Sequence, residues 1–325
     1  MNGMGDYKMK KIMSISLILL VMLMLGACAN TNQQTNSEEP VKLGSITMGV
    51  LPDVDSIPLI IAQEKGYFEE EGLTVKLEQF TSAMERDSAL QSGNLDGAIS
   101  DILAEAFAKD NDFDVWITSM TNGSYKLLVN KDEAASDIPG LKGKDVGISK
   151  NTIIEYVTDQ MMKAEGLTPE DINKVVIPKM PARLEMLQSG KIAGATLPEP
   201  LASVAMKDGA KLLASSNELN INPGIILFTG KSINEKEQEI KAMYRAYNKA
   251  VAFLTSESVD SYVDILIEKG GFPEAIRGTI VMPVYTQASL PDEKEVVDVI
   301  QWLHERALVK NTYKYEELVN DKFMR

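Results

Sequence analysis

The alternation of apolar and polar positions divides the chain beyond residue 42 into two successive runs of the same elements. In the first, Ile46–Leu51 alternates as a strand and leads through "PDVDSIP" into a helix from about Pro58 to Lys65, which Gly66 ends. Leu73–Phe80, "LTVKLEQF", alternates with period two and predicts a second strand. Ser82-Ala-Met-Glu85 has the S-x-x-E form of a capping box, so a helix should start at Ser82, run through Leu90 and stop at Gly93, which is placed for left-handed backbone. Leu95–Ile99 is then a short buried strand that emerges at Ser100 and Asp101. In the second run Asp145–Ser149 is a strand, Asn151–Glu165 a helix closed by Gly166, and Lys174–Pro178 a strand. Pro181 stands like a first-turn proline, Ala182–Gln188 form a helix ended by Gly190, and strand Ile192–Thr196 emerges at "LPEP", Leu197–Pro200.

The two runs also share letters. "LQSGNLDGA" at Leu90–Ala98 and "LQSGKIAGA" at Leu187–Ala195 lie 97 residues apart, with seven of nine positions identical or conservatively exchanged. One helix–Gly–strand unit is ordinary in an α/β protein; two copies with polar exits suggest two equivalent lobes. Strand–helix–strand–helix–strand makes a mostly parallel sheet with helices on both faces. Ligands of such sheets collect at the carboxyl ends of the strands, where helix N-termini also point. Two sheets facing one another would give an interlobe cleft.

The N-terminus bears on the compartment. Lys8, Lys10 and Lys11 precede an uncharged apolar run, Ile12–Leu25, and then "LGAC", Leu25–Cys28. This resembles a bacterial lipoprotein signal peptide, residues 1–27, with Cys28 as the lipidated first residue of the mature protein. Met9 is an alternative start, and an ordinary signal peptide or a short membrane anchor is the alternative to lipidation. Residues 28–42, including the polar "ANTNQQTNSEEP", form a disordered tether. The protein is then extracytoplasmic and held to a membrane surface by lipid alone. The chain carries 33 Lys and Arg against 47 Asp and Glu, which argues against nucleic acid or anionic headgroups as partners. Cys28 is the one cysteine and His304 the one histidine, so thiol nucleophiles and Cys or His metal pairs are excluded. No P-loop, GxSxG or GxGxxG occurs.

Taken together, the lipobox, the tether, "GVLPDVDSIPLIIAQEKGYFEEEGLTVKLEQF", "ALQSGNLDGAISD" and "LQSGKIAGATLPEP" resemble a periplasmic-binding-protein-like subunit of an ABC importer. Within that group the chain is similar to the SsuA/ThiY-like binders of sulfonates, nitrate and thiamine precursors, over roughly Ile46 to Ser232. The resemblance implies an α/β, two-lobed type II clamshell with two crossover segments, placed near Tyr125–Asn130 and Gly224–Thr229. Lobe 1 would be 43–127 plus 228–325, and lobe 2 128–227. C-terminal helices, starting at the capping box Ser232-Ile-Asn-Glu235, would pack on lobe 1, with Met243, Tyr247 and Phe253 in the core. A monomeric, non-enzymatic receptor without cofactor or metal is implied, delivering a small solute to permease and ATPase subunits. Rival readings are a surface lipoprotein that senses without transport, and the pyrimidine-synthase or menaquinone-pathway enzymes of this fold.

The candidate ligand wall follows from the strand exits. Lobe 1 offers Asp53, Asp55 and Ser56, Ser82, Ser100 and Asp101, with Asn122 and Tyr125 approaching the crossover. Lobe 2 offers Ser149, Asn151, Thr152 and Glu199. Caps or turn formers are the competing role for each, most of all Ser82 and Asn151. Asp101 and Glu199 are preferred because nothing local requires their charge. Lys150 is the one basic residue at these exits, and several carboxylates would repel an anion by more than helix dipoles return. The expected ligand is therefore neutral or amine-bearing, such as an aminopyrimidine stacked on Tyr125, Tyr156 or Trp116; a sulfonate, taurine or nitrate is the alternative.

Overall fold

A computed structural model describes residues 42–324, and Cys28, the expected leader and most of the tether lie outside the described residues. Among the described residues ten strands form two five-stranded sheets. The first contains β1 (Ser45–Val50), β2 (Thr74–Gln79), β3 (Gly97–Asp101), β4 (Val115–Met120) and, from late in the chain, β10 (Gly224–Thr229), in the order β2-β1-β3-β10-β4. The second contains β5 (Tyr125–Val129), β6 (Asp145–Ile148), β7 (Asn173–Val176), β8 (Gly194–Pro198) and β9 (Lys211–Ser215), in the order β7-β6-β8-β5-β9. In each sheet a single strand, β10 or β5, runs antiparallel to both neighbours, and that strand is the one entered from the other sheet.

Register repeats the duplication. Gly49 of β1 pairs with Ala98 of β3, and Gly147 of β6 pairs with Ala195 of β8. The main helices are α1 (Ile57–Glu64), α2 (Ala83–Gln91), α3 (Ile102–Asp110), α4 (Ile153–Ala164), α5 (Met180–Gln188), α6 (Leu201–Lys207), α7 (Glu237–Ser256) and α8 (Glu293–Glu305). Their ends follow local chemistry. Ser82 Oγ accepts the Glu85 amide, Pro181 sits in the first turn of α5, and Gly93 and Gly190 follow α2 and α5 with φ of 78° and 68°.

Three expectations are corrected. The apolar runs at Tyr125–Asn130 and Gly224–Thr229 are sheet strands rather than crossings; the chain changes sheets in residues 121–124 and 216–223, just before them. The helix expected to start at Ser232 starts at Gly230, because Thr229 Oγ1 is the oxygen that accepts the Ser232 amide. The C-terminal helices do not serve the first sheet alone. α7 lies against α1, with Met243 and Tyr247 in the core and Phe253 half-buried, but α8 lies on α3 and also reaches α4 of the second sheet. There Trp302 meets Tyr156 edge-on at 5.6 Å, and buried Asp159 receives Trp302 Nε1 at 3.2 Å and Arg306 at 2.7 Å. Among the described residues no helix is long and apolar enough to cross a membrane.

Candidate functional site

The carboxyl ends of the strands in the two sheets face each other and are closed together. Met180 N donates to Thr81 O at 3.3 Å, Val54 N to Glu199 O at 3.2 Å, and Tyr125 Oη to Asp55 at 3.0 Å, each across the divide between the sheets. Lys179 and Glu85 form an ion pair across it at 3.2 Å. Behind these contacts lies a cavity walled by both sheets. Of the residues expected at the site, Asp53, Asp55, Ser100, Asp101, Tyr125 and Ser149 line it.

The others stand outside that wall and have local partners. Ser56 donates to Asp53, Ser82 and Thr152 cap helices, and Asn122 is bonded to Thr286. Asn151, with φ of 57°, and Thr152 border a separate pocket beside α2. Glu199, expected to have a charge nothing local needs, is fully buried, ion-paired with Lys126 and bonded to the Ser203 amide at 3.0 Å. Asp101 likewise has a local task, since its carboxylate accepts the Ala104 amide at 2.9 Å, although it remains on the cavity. Of the three stacking candidates Tyr125 alone lines the cavity; Tyr156 packs on Trp302, and Trp116 lies under Lys109.

Two arginines that sequence reasoning passed over complete the wall. Arg86 and Arg183 lie one turn before the duplicated phrase, at the same spacing of 97 residues, and both are buried. Their environments repeat as well. Arg86 Nη1 donates to Ile99 O at 2.9 Å, and Arg183 Nε donates to Thr196 O at 2.9 Å, so each holds the carbonyl at the equivalent point of β3 or β8. Each side chain crosses a glycine of the neighbouring strand: a Cβ at Gly49 would stand 3.2 Å from Arg86 Cγ, and one at Gly147 would stand 3.3 Å from Arg183 Cγ. The sequence held the signal in the repeat itself, extended four residues towards the N-terminus.

The arginines change the electrostatics inferred from the acidic exits. Burial, reinforced by neighbouring Asp55, pushes the Asp53 carboxyl well above the usual range; burial also raises Asp55 despite hydrogen bonds from Thr121 and Tyr125. Burial lifts Asp101 to about 6, with Arg86 opposing it. The acidic wall is therefore less negative than its composition, and it faces cationic side chains. Among the described residues Arg183 has no carboxylate partner, and burial lowers it to about 10, which leaves it charged at neutral pH. Among the described residues its Nη2, like Arg86 Nη2 and Ser100 Oγ, is buried without a hydrogen-bond partner. A buried cation and open donors suit an anionic group. Among the described residues no cluster of three or more His, Cys, Asp and Glu side chains could hold a metal ion.

Comparison with known proteins agrees with this architecture. The model of the NMT1-like family matches residues 39–265. A Bacillus subtilis (strain 168) protein provisionally named as aliphatic sulfonates-binding is 27% identical over 263 residues, 77% of this chain and 77% of its own. A Saccharomyces cerevisiae 4-amino-5-hydroxymethyl-2-methylpyrimidine phosphate synthase is 28% identical over 122 residues, 37% of this chain and 36% of its own. The alkanesulfonate-binding protein SsuA from Xanthomonas axonopodis pv. citri, solved with bound MOPS, superposes with a TM-score of 0.74 at 18% identity, over 86% of this chain and 99% of that one. The fold is that of the periplasmic binding proteins.

Proposed function

The chain belongs to the NMT1-like family, and from that premise we propose that it is the solute-binding component of an ABC importer, closing over one small organic anion. It would be exported, anchored by lipid on Cys28, and would present its closed form to permease and ATPase subunits. The observation that carries this reading is the cavity between the equivalent strand ends, walled by both sheets and by Arg86 and Arg183. Enclosure between two facing sheets suits a receptor that captures and releases a solute by lobe opening. The relatives that match most of the chain are named as binding proteins, whereas the synthase match covers about a third of it.

The two arginines reverse the preference for an amine-bearing ligand drawn from the acidic exits alone. Donors on the solute still have acceptors in Asp53, Asp55 and Asp101, so an anion with a hydrogen-bond donor at its other end satisfies both walls. An aminoalkanesulfonate has that form.

A thermal-shift screen tests this with taurine, ethanesulfonate, nitrate, bicarbonate, thiamine and an aminopyrimidine. Ligand at about 100 times its Kd stabilises the native state by roughly 2.7 kcal/mol, which is several degrees in Tm. Taurine and ethanesulfonate should raise Tm, taurine further. Stabilisation by the aminopyrimidine or thiamine with no response to any anion would contradict the reading.

A further inference from the structure

The duplication provides an internal control: two arginines in the same local fold, with different neighbours. After Arg86 comes Asp87; at the position 97 residues later, after Arg183, comes Leu184. Asp87 Oδ1 accepts Arg86 Nε at 2.8 Å and lies 2.7 Å from Nη2. Arg183 instead spends Nε and Nη1 on the carbonyls of Thr196 and Ile177, at 2.9 and 2.7 Å; the Nη2 of each arginine lacks a hydrogen-bond partner, but only that of Arg86 stands against a carboxylate among the described residues. Both arginines line the same cavity, Arg86 from the first sheet's side and Arg183 from the second's. Burial and the attraction of Asp87, Asp101 and Asp53 act on Arg86, whereas burial alone acts on Arg183.

We propose that Arg183, and not its counterpart Arg86, is the receptor for the anionic group of the solute, and that the Asp87/Leu184 difference makes it so. A buried cation without a counter-ion is costly, and an anion entering the cavity relieves that cost only where the protein has not already done so. Arg86 is neutralised from within the chain; Arg183 is completed by the ligand. The anion is thereby fixed against the second sheet, which leaves the rest of the solute towards the acidic wall of the first. This rests on the anion-receptor reading given above.

Isothermal titration of taurine, ethanesulfonate, nitrate and bicarbonate into the full mature protein and three variants is the test, with unliganded Tm recorded for each. Arg183→Gln should weaken binding by about 100-fold while the unliganded protein stays folded, because Gln can still donate to one of the two carbonyls. Leu184→Asp gives Arg183 the neighbour that Arg86 has; affinity should fall by at least about tenfold with Arg183 itself intact. Arg86→Gln should cost less than either. Wild-type binding that survives Arg183→Gln and Leu184→Asp, or that falls as far in Arg86→Gln as in Arg183→Gln, overturns this inference while leaving the anion reading in place. Failure of the wild type to bind either sulfonate, nitrate or bicarbonate overturns the anion reading and this inference with it.

Discussion

Lys126→Met should destabilise the protein by about 3–5 kcal/mol, the cost of stranding one member of a buried ion pair. Lys126 is 7% exposed and Glu199 0%. Without Lys126 the Glu199 carboxylate retains Ser203 N at 3.0 Å and Ser203 Oγ at 2.9 Å, but it loses the cation it is paired with. An unpaired carboxylate is then left in a buried site. Adding Glu199→Gln should recover a large part of the loss, because a neutral amide keeps bonds to Ser203 and strands no charge. Urea denaturation of the wild type, both single variants and the pair closes the double-mutant cycle. A Lys126→Met variant within about 0.5 kcal/mol of wild type would show that the pair does not act as a buried unit.

The second large effect is on the dependence of stability on pH. Asp101 titrates near 6 in the folded protein against an ordinary value of 3.8, chiefly through burial. Between those two values the folded state holds a proton that the unfolded chain has released. The stabilising contribution is thus fully present below about 3.8 and is lost as pH rises through about 6; integrated, it amounts to about 3 kcal/mol. Unliganded protein should be more stable at pH 4.5 than at pH 7.5, and Asp101→Asn should remove about 2 kcal/mol of that difference. The substitution keeps an oxygen for the Ala104 amide, so loss of the α3 cap does not confuse the comparison. Buried Asp53, Asp55 and Glu105 have carboxyls shifted the same way and should preserve a residual slope of the same sign. An unchanged pH profile in Asp101→Asn would show that this carboxyl is ionised in the folded state throughout.

Much of the architecture is legible in the sequence because its determinants are local. Gly93 and Gly190 mark helix ends that need positive φ, and period-two alternation marks β2 before any contact is known. What is not legible depends on partners far apart in the chain. Lys126 and Glu199 stand 73 residues apart and meet because β5 pairs with β8, so Glu199 seen alone looks like a spare charge. Arg86 and Arg183 look like the solvated face of their helices. They turn inward because Gly49 and Gly147 leave room on the adjacent strands and because strand carbonyls receive their guanidinium groups. The sequence pattern sets the crossing points a few residues late for a related reason: an apolar β-like run between lobes is indistinguishable by pattern from a central strand, and pairing alone decides which it is.

In the proposed mode of binding an organic anion is enclosed between the two sheets and held from the second sheet's side. A crystal structure of the protein grown with saturating taurine tests it most directly. Taurine is expected inside the cavity with sulfonate oxygens at about 3 Å from Arg183 Nη2 and the amino group towards Asp53 and Asp55. Taurine seated with its amino group at Arg183, bound only outside the cavity, or absent from it at saturating concentration would show that Arg183 does not receive the anion.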